Sequence, residues 1–420
     1  MESIILLRTE SGGQMMKRIS GPLSLLTALI VISCPLAVAA DKGSVVNYHG
    51  DVSRLMQKHC IRCHREDGGA PFALETFEDV EANAPMIQEV IRRGTMPPWF
   101  AASGDDSKES QWVNDPTLPE VDKATLADWI KSGRQEGDVA DAPESLAYPD
   151  GWNIGNPDAV FQAREVSVKA TGVMPYEYLV IQTDEKSDQW VQSVQIRPSS
   201  PEVVHHVLVM MLPPGKSARD LNQIDYWAAY APGNGTHIYA DGYGRKMPRG
   251  SKLVLSMHYT PNGTATVDQT EIAVQFTKKA PEFEVRTASL VNTDFTIPPG
   301  AENHKITATV KLPRDIMILG YFPHSHLRGK AARYEVISRS GKSDILLDVP
   351  GYDFNWQLFY EYTEPKSIRR GSTLKYTAWY DNSENNPANP DPTKAVRWGN
   401  QTFEEMHLGY VEFVVPRRRN

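Results

Sequence analysis

Cysteine is nearly missing from this chain of 420 residues, which has three: Cys34, Cys60 and Cys63. That leaves too few thiols for a disulfide framework, so the cores must hold by burial. Long apolar runs are missing too, apart from one near the start, where Pro22 to Ala40 follows Lys17 and Arg18. A basic flank, the apolar Leu23–Ser33 stretch and the small-residue end Ala37-Val38-Ala39 read as a secretory signal over residues 1–40, with Met16 the more natural start. Val31-Ile32-Ser33-Cys34 offers an alternative, a bacterial lipoprotein box with a membrane anchor at Cys34, against which Pro35 speaks. On either reading the mature chain is exported, to the periplasm or beyond the cell. Positive charge is in deficit: residues 41–420 carry 41 basic and 50 acidic side chains, a net charge of −9. An acidic exported chain is a poor partner for nucleic acid.

What is present divides in two. Residues 41–133 have helical texture, with candidate helices over Asp51–His59, Asp79–Arg93 and Glu120–Ser132, the last starting near Asp115 or Thr117. Gly94 and Gly133 stand where helices end. Arg134 to Pro157 is rich in Asp, Glu, Pro and Gly and reads as a linker. From there on, short alternating runs punctuated by Gly and Pro predict antiparallel β-structure: Tyr178–Gln182, Trp190–Arg197, Val203–Met211, Lys252–Tyr259, Ile272–Phe276, Lys305–Leu312, Ile316–Phe322, Ala332–Ile337 and Leu374–Tyr380. About 260 residues of such pattern suit two sandwiches better than one. The expected boundaries are therefore 41–147 for a helical domain plus linker, 148–283 for a first β-sandwich and 284–420 for a second, with the break near Ala280-Pro281-Glu282.

Cys60-Ile61-Arg62-Cys63-His64 matches the attachment motif for a c-type haem. Two thiols two residues apart can both reach haem vinyl groups, and the next residue brings an imidazole to the iron. There is no further Cys pair to complete a zinc site. Met96, in Arg93-Gly94-Thr95-Met96-Pro97-Pro98-Trp99, is the best candidate for the sixth iron ligand, because methionine opposite histidine raises the reduction potential. Met56 and Met86 fit core packing instead. Residues 41–133 resemble a single-haem cytochrome c domain, which is small and all-α.

The back half holds a second chemistry. His205-His206 sits in an apolar run where neighbours point to opposite faces, so two imidazoles on one ion require a strand end, a twist or a bulge. His258 shares a face with Val254 and Ser256. His324 and His326 share a face by being two apart. Met406 adds a thioether, a soft ligand that favours Cu(I). With no cysteine beyond Cys63, a blue-copper centre cannot form here. His237 and His304 read as surface residues, and His407 as facing away from Met406.

Together these motifs resemble the copper type II ascorbate-dependent monooxygenases, over about residues 155–420. The likeness rests on His205-His206, the Met257-His258-Tyr259 strand ending in Asn262-Gly263, Pro323-His324-Ser325-His326-Leu327-Arg328-Gly329, and Gly399-Asn400-Gln401-Thr402-Phe403-Glu404-Glu405-Met406, in the family's order. The resemblance implies two jelly-roll-like β-sandwiches facing each other across a solvent-filled cleft. It places one copper on His205, His206 and His258 for electron transfer and another on His324, His326 and Met406 for oxygen chemistry. A cytochrome c domain in front fits bacterial relatives. Neither a peptide nor a catecholamine substrate carries over, because no residues matching their recognition are found.

The expectation is thus an exported enzyme with two copper ions and one haem c, hydroxylating a C–H bond of a small organic substrate with O2. Its electrons would come from a periplasmic cytochrome, a quinol-linked carrier or an ascorbate-like reductant. Two alternatives stay open: a non-enzymatic electron-transfer or copper-handling protein, and a cytochrome fused to carbohydrate-binding sandwiches.

Overall fold

The computed structural model describes residues 45–66, 68–102, 109–147, 151–217 and 226–417. The predicted signal and Cys34 lie outside the described residues. The described residues are mostly β-sheet, with three α-helices among them at Ser53–His59, Phe77–Arg92 and Glu120–Lys131. The second helix begins two residues before the expected Asp79. Thr76 accepts from the Asp79 amide while Asp79 accepts from the Thr76 amide, and this capping box fixes the start. Val52, Met56, Val80, Ala84, Leu126 and Trp129 form the core under these helices. Met86, by contrast, is 45% exposed and lies outside that core.

The β region folds as two sandwiches. In the first, strands Glu177–Gln182, Lys252–Tyr259, Val204–Leu212 and Tyr226–Tyr230 form one sheet, in that order. It covers the sheet containing Ala159–Gln162, Glu271–Phe276, Gln189–Arg197 and Tyr243–Met247. Alternation puts Val191, Val194 and Ile196 against Val207, Val209, Leu253 and Leu255. Each such side chain contributes about 1.5–3 kcal/mol when fully buried. In the second, strands His304–Lys311, Thr373–Tyr380, Gly329–Ile337 and Ser343–Val349 cover Phe283–Val291, Leu408–Pro416, Ile316–His324 and Tyr360–Ile368. Its core is rich in tyrosine, with Tyr321, Tyr334 and Tyr376 against Ile318 and Val411.

The sandwiches are not separate bodies. Phe283–Val285 pairs in parallel with Tyr243–Arg245, so one nine-stranded sheet runs through both halves. A buried ion pair fastens the seam: Arg245 donates to Glu412, and also to Trp227 O at 2.7 Å and Thr287 Oγ1 at 3.0 Å. The outer face of the first sandwich also packs on the second, with Leu208, Tyr226 and Ala229 against Phe322, Leu408 and Tyr410. The expected solvent-filled cleft is replaced at this place by an apolar contact.

The residues before the linker do not stay apart either. Val113 N donates to Glu361 O, Asn114 Nδ2 to Phe359 O, and Trp112 stacks on Tyr362 inside the second core. Among the described residues no helix is long and apolar enough to cross a membrane.

Candidate metal centre

His205 and His206 open the Val204–Leu212 strand, where its pairing with Lys252–Tyr259 slips by one residue between Val204 and His206. This bulge is the distortion that a His-His pair needs to turn both rings the same way. His206 then lies directly across from His258. The three ligand nitrogens lie within 4.8 Å of one another. Ring centroids are 5.3 Å apart for His205–His206, 4.8 Å for His205–His258 and 4.9 Å for His206–His258.

Burial keeps the imidazoles neutral. It lowers His205 to about 4 and His258 to about 3, and like-charge repulsion among the histidines pushes the same way. Neutral imidazole is the ligand form. His205 Nε2 and His258 Nδ1 are buried with no hydrogen-bond partner. An orphaned buried nitrogen is costly unless something accepts its lone pair, so this set fits a metal ion. Tyr176 stacks on the His258 ring at 4.8 Å, with its hydroxyl 3.5 Å from His206 Nε2.

His324 ends its strand, and His326 follows in the turn. Both are buried. Gln357, also buried, accepts from His324 Nδ1 at 2.7 Å, which fixes the tautomer and leaves Nε2 for a metal. His326 Nε2 is again without a partner, and its Nδ1 lies 3.4 Å from Glu404 O. Burial lowers His324 to about 4 and holds His326 well below the usual range. Met406 packs beside the Phe322–Tyr410 apolar cluster. Its backbone is tied to His326 through Glu405, whose carboxylate accepts from the amides of His326, Arg328 and Met406.

The two sets meet. His206 and His324 stand 5.7 Å apart in an edge-to-face contact. Phe354, on the crossover of the second half, stacks on His205 at 4.7 Å and reaches His258 at 5.9 Å and His326 at 6.4 Å. Five histidines therefore form one connected cluster.

The helical region presents the other candidates. Cys60 and Cys63 are free thiols just after the first helix. Burial raises the Cys60 thiol to about 12 and raises Cys63 as well. His64 Nδ1 lies 3.1 Å from Phe72 O, which leaves Nε2 open. A ring nitrogen spent on a backbone carbonyl is the usual support for a metal-binding imidazole, so the motif fits a covalent haem. Met96 is half-buried in the turn after the second helix, its amide 3.4 Å from Val90 O.

His237 and His304 differ from the surface positions expected of them. His237 is not a surface residue: it is half-buried, edge-on to Phe359 at 5.5 Å, and burial lowers its pKa. His407 is buried against Tyr376, with Nδ1 3.0 Å from the Tyr380 hydroxyl. His304 is half-buried at a strand start. Sequence reasoning missed Gln357, Phe354, Tyr176 and the role of Glu405. Only Glu405, next to Met406, stood where a motif could have flagged it.

Residues 285–419 match the family model for the copper type II ascorbate-dependent monooxygenase C-terminal domain. That segment contains the second sandwich with His324, His326 and Met406, so the match supports this family and a copper monooxygenase kind of chemistry. No curated protein matches the chain. Among solved structures, the major capsid protein P2 from bacteriophage PM2 is 10% identical over 61% of this chain and 99% of that one, with a TM-score of 0.25. The allantoicase of Saccharomyces cerevisiae is 9% identical over 52% and 80%, with a TM-score of 0.16. TM-scores this low establish no shared fold.

Proposed function

We propose that this chain is an exported copper monooxygenase that hydroxylates a C–H bond of a small organic substrate, with electrons entering through a c-type haem. The observation that carries the proposal is the cluster of five histidines, four of them buried and three with an unpartnered buried ring nitrogen, in a chain whose residues 285–419 match the monooxygenase C-terminal domain. In this proposal His205, His206 and His258 hold one copper, and His324, His326 and Met406 hold the other. When bound, copper supplies the one-electron chemistry by which O2, two electrons and two protons convert R–H into R–OH and water. The protein contributes imidazoles kept neutral by burial, the aromatic neighbours Tyr176 and Phe354, and, at His324, a tautomer fixed by Gln357. The domain division in this proposal is 41–147 for the helical region with its linker, and 148–283 and 284–420 for the two copper sandwiches.

Haem c is assigned to Cys60, Cys63 and His64, with Met96 as sixth ligand. The placing of this motif supports the electron route. Arg62 Nη2 donates to Gly233 O at 3.1 Å, and Cys63 Sγ lies beside Gly233. That turn follows the Tyr226–Tyr230 strand, and Tyr230 pairs with Val207, the neighbour of His206. An electron arriving at the motif is thus one turn and one strand pairing from the first histidine set. The donor is a periplasmic cytochrome, a quinol-linked carrier or an ascorbate-like reductant.

Metal analysis of the reconstituted protein and oxygen uptake test the proposal. Two coppers and one haem per chain, with oxygen consumption that depends on an added organic substrate, is the expected result. A protein that binds copper yet shows no substrate-dependent uptake would instead be an electron-transfer or copper-handling protein. The direct contact of His206 with His324, which leaves no room for a molecule between those two rings, favours that second reading.

A further inference from the structure

We infer that Glu405 is a positioning residue that holds His326 and Met406 together as one ligand set; this rests on the copper assignment proposed above. The carboxylate is fully buried. Its Oε1 accepts from the amide nitrogens of His326 and Met406, the latter at 2.9 Å, and its Oε2 accepts from Arg328 N at 3.1 Å. Those amides belong to two stretches of chain nearly eighty residues apart. One begins where the Ile316–His324 strand ends; the other is the loop before the Leu408–Pro416 strand. Pairing between these strands stops at His324–Leu408, so no ladder bond of theirs reaches His326 or Met406. Glu405 supplies the missing connection through its side chain.

A simple structural role does not account for this choice of residue. Arg328, the nearby cation, sends its guanidinium away to Asn382 Oδ1 at 2.8 Å and Phe403 O at 2.9 Å. The carboxylate is therefore satisfied by backbone amides, two of them from proposed ligands. A carboxyl group with both oxygens accepting from amides holds those donors in fixed directions, because hydrogen bonds weaken steeply away from linearity. Neutral glutamine keeps the size but replaces one acceptor with an NH2 group that faces a donor.

The test is X-ray absorption on the Cu(I)-loaded full chain, comparing wild type, Glu405→Gln, Glu405→Asp and Met406→Leu. Wild type is expected to show a sulfur scatterer that Met406→Leu abolishes. Glu405→Gln is expected to lose most of it and to retain copper at the second set about 10–100-fold more weakly. Copper bound by His205, His206 and His258 stays unchanged in each variant. Glu405→Asp keeps the carboxyl group on a shorter arm and recovers part of the signal; it carries the comparison if Glu405→Gln does not fold. Full sulfur scattering in the folded Glu405→Gln or Glu405→Asp protein overturns the inference. Absence of sulfur scattering in wild type overturns the ligand assignment itself, so the two failures are distinct.

Discussion

The rings of His206 and His324 touch edge to face across the boundary between the sandwiches, 5.7 Å centroid to centroid. Metal ions held by the two histidine sets would be near neighbours. The fully loaded Cu(II) protein is therefore expected to give a dipolar-broadened or diminished electron paramagnetic resonance signal. His258→Ala, which dismantles the first set, should restore an ordinary signal from one copper. Two full-intensity, unbroadened copper signals per wild-type chain would contradict the contact.

Phe354 lies on His205 as a stacked ring at 4.7 Å, the second half covering a ligand of the first. Aromatic contacts of this kind contribute about 0.5–1.5 kcal/mol. Phe354→Ala should weaken Cu(II) binding by the first set roughly three- to tenfold, read by competition with a chelator, while the denaturation midpoint changes little. Unchanged affinity would remove Phe354 from the site.

Arg245 and Glu412 are each under 5% exposed and pair at the seam. Replacing only one partner leaves an uncompensated buried charge, which costs about 3–5 kcal/mol. Arg245→Met should lower stability by that order in urea titrations, and Arg245→Met with Glu412→Gln should recover most of the loss. A single variant as stable as wild type would show the pair to be dispensable.

Glu361 is raised to about 7, first by burial and then by the neighbouring Glu412 carboxylate. Its folded pKa thus exceeds the unfolded value near 4.5, so the folded state holds the extra proton between the two. Stability is undiminished below about pH 4.5 and falls as pH rises through 7. Glu361→Gln should therefore be more stable than wild type at pH 8, by on the order of 2–3 kcal/mol, and about equal at pH 5. Equal stabilities at both pH values would contradict the assignment.

Much of this was legible in the sequence wherever a period or a spacing carried the signal. The Lys252–Tyr259 strand was read to both its ends, and the need for a distortion at His205-His206 is met by the bulge there. Strands that broke the pattern escaped. Tyr360–Ile368 contains Pro365, and Leu408–Pro416 is buried along both faces, so neither alternates cleanly. Gln357 escaped because a lone amide in a loop has no partner at a fixed spacing; its role exists only once His324 is beside it. The meeting of the two histidine sets escaped for a similar reason. It follows from the pairing of Tyr243–Arg245 with Phe283–Val285, a long-range contact that no local pattern announces.

That parallel pairing limits how a reactant could enter. Swinging the sandwiches apart as rigid blocks would tear backbone ladder bonds and strip Arg245 from Glu412 in the same movement. The segment from Tyr352 to Phe359 carries both Phe354 and Gln357 and, outside any strand, is bound by no such ladder. The segment is anchored at the centre by side chains instead, Tyr352 to the Ser325 backbone and Gln357 to His324, so the second half holds the Phe354 ring over His205 without any strand pairing.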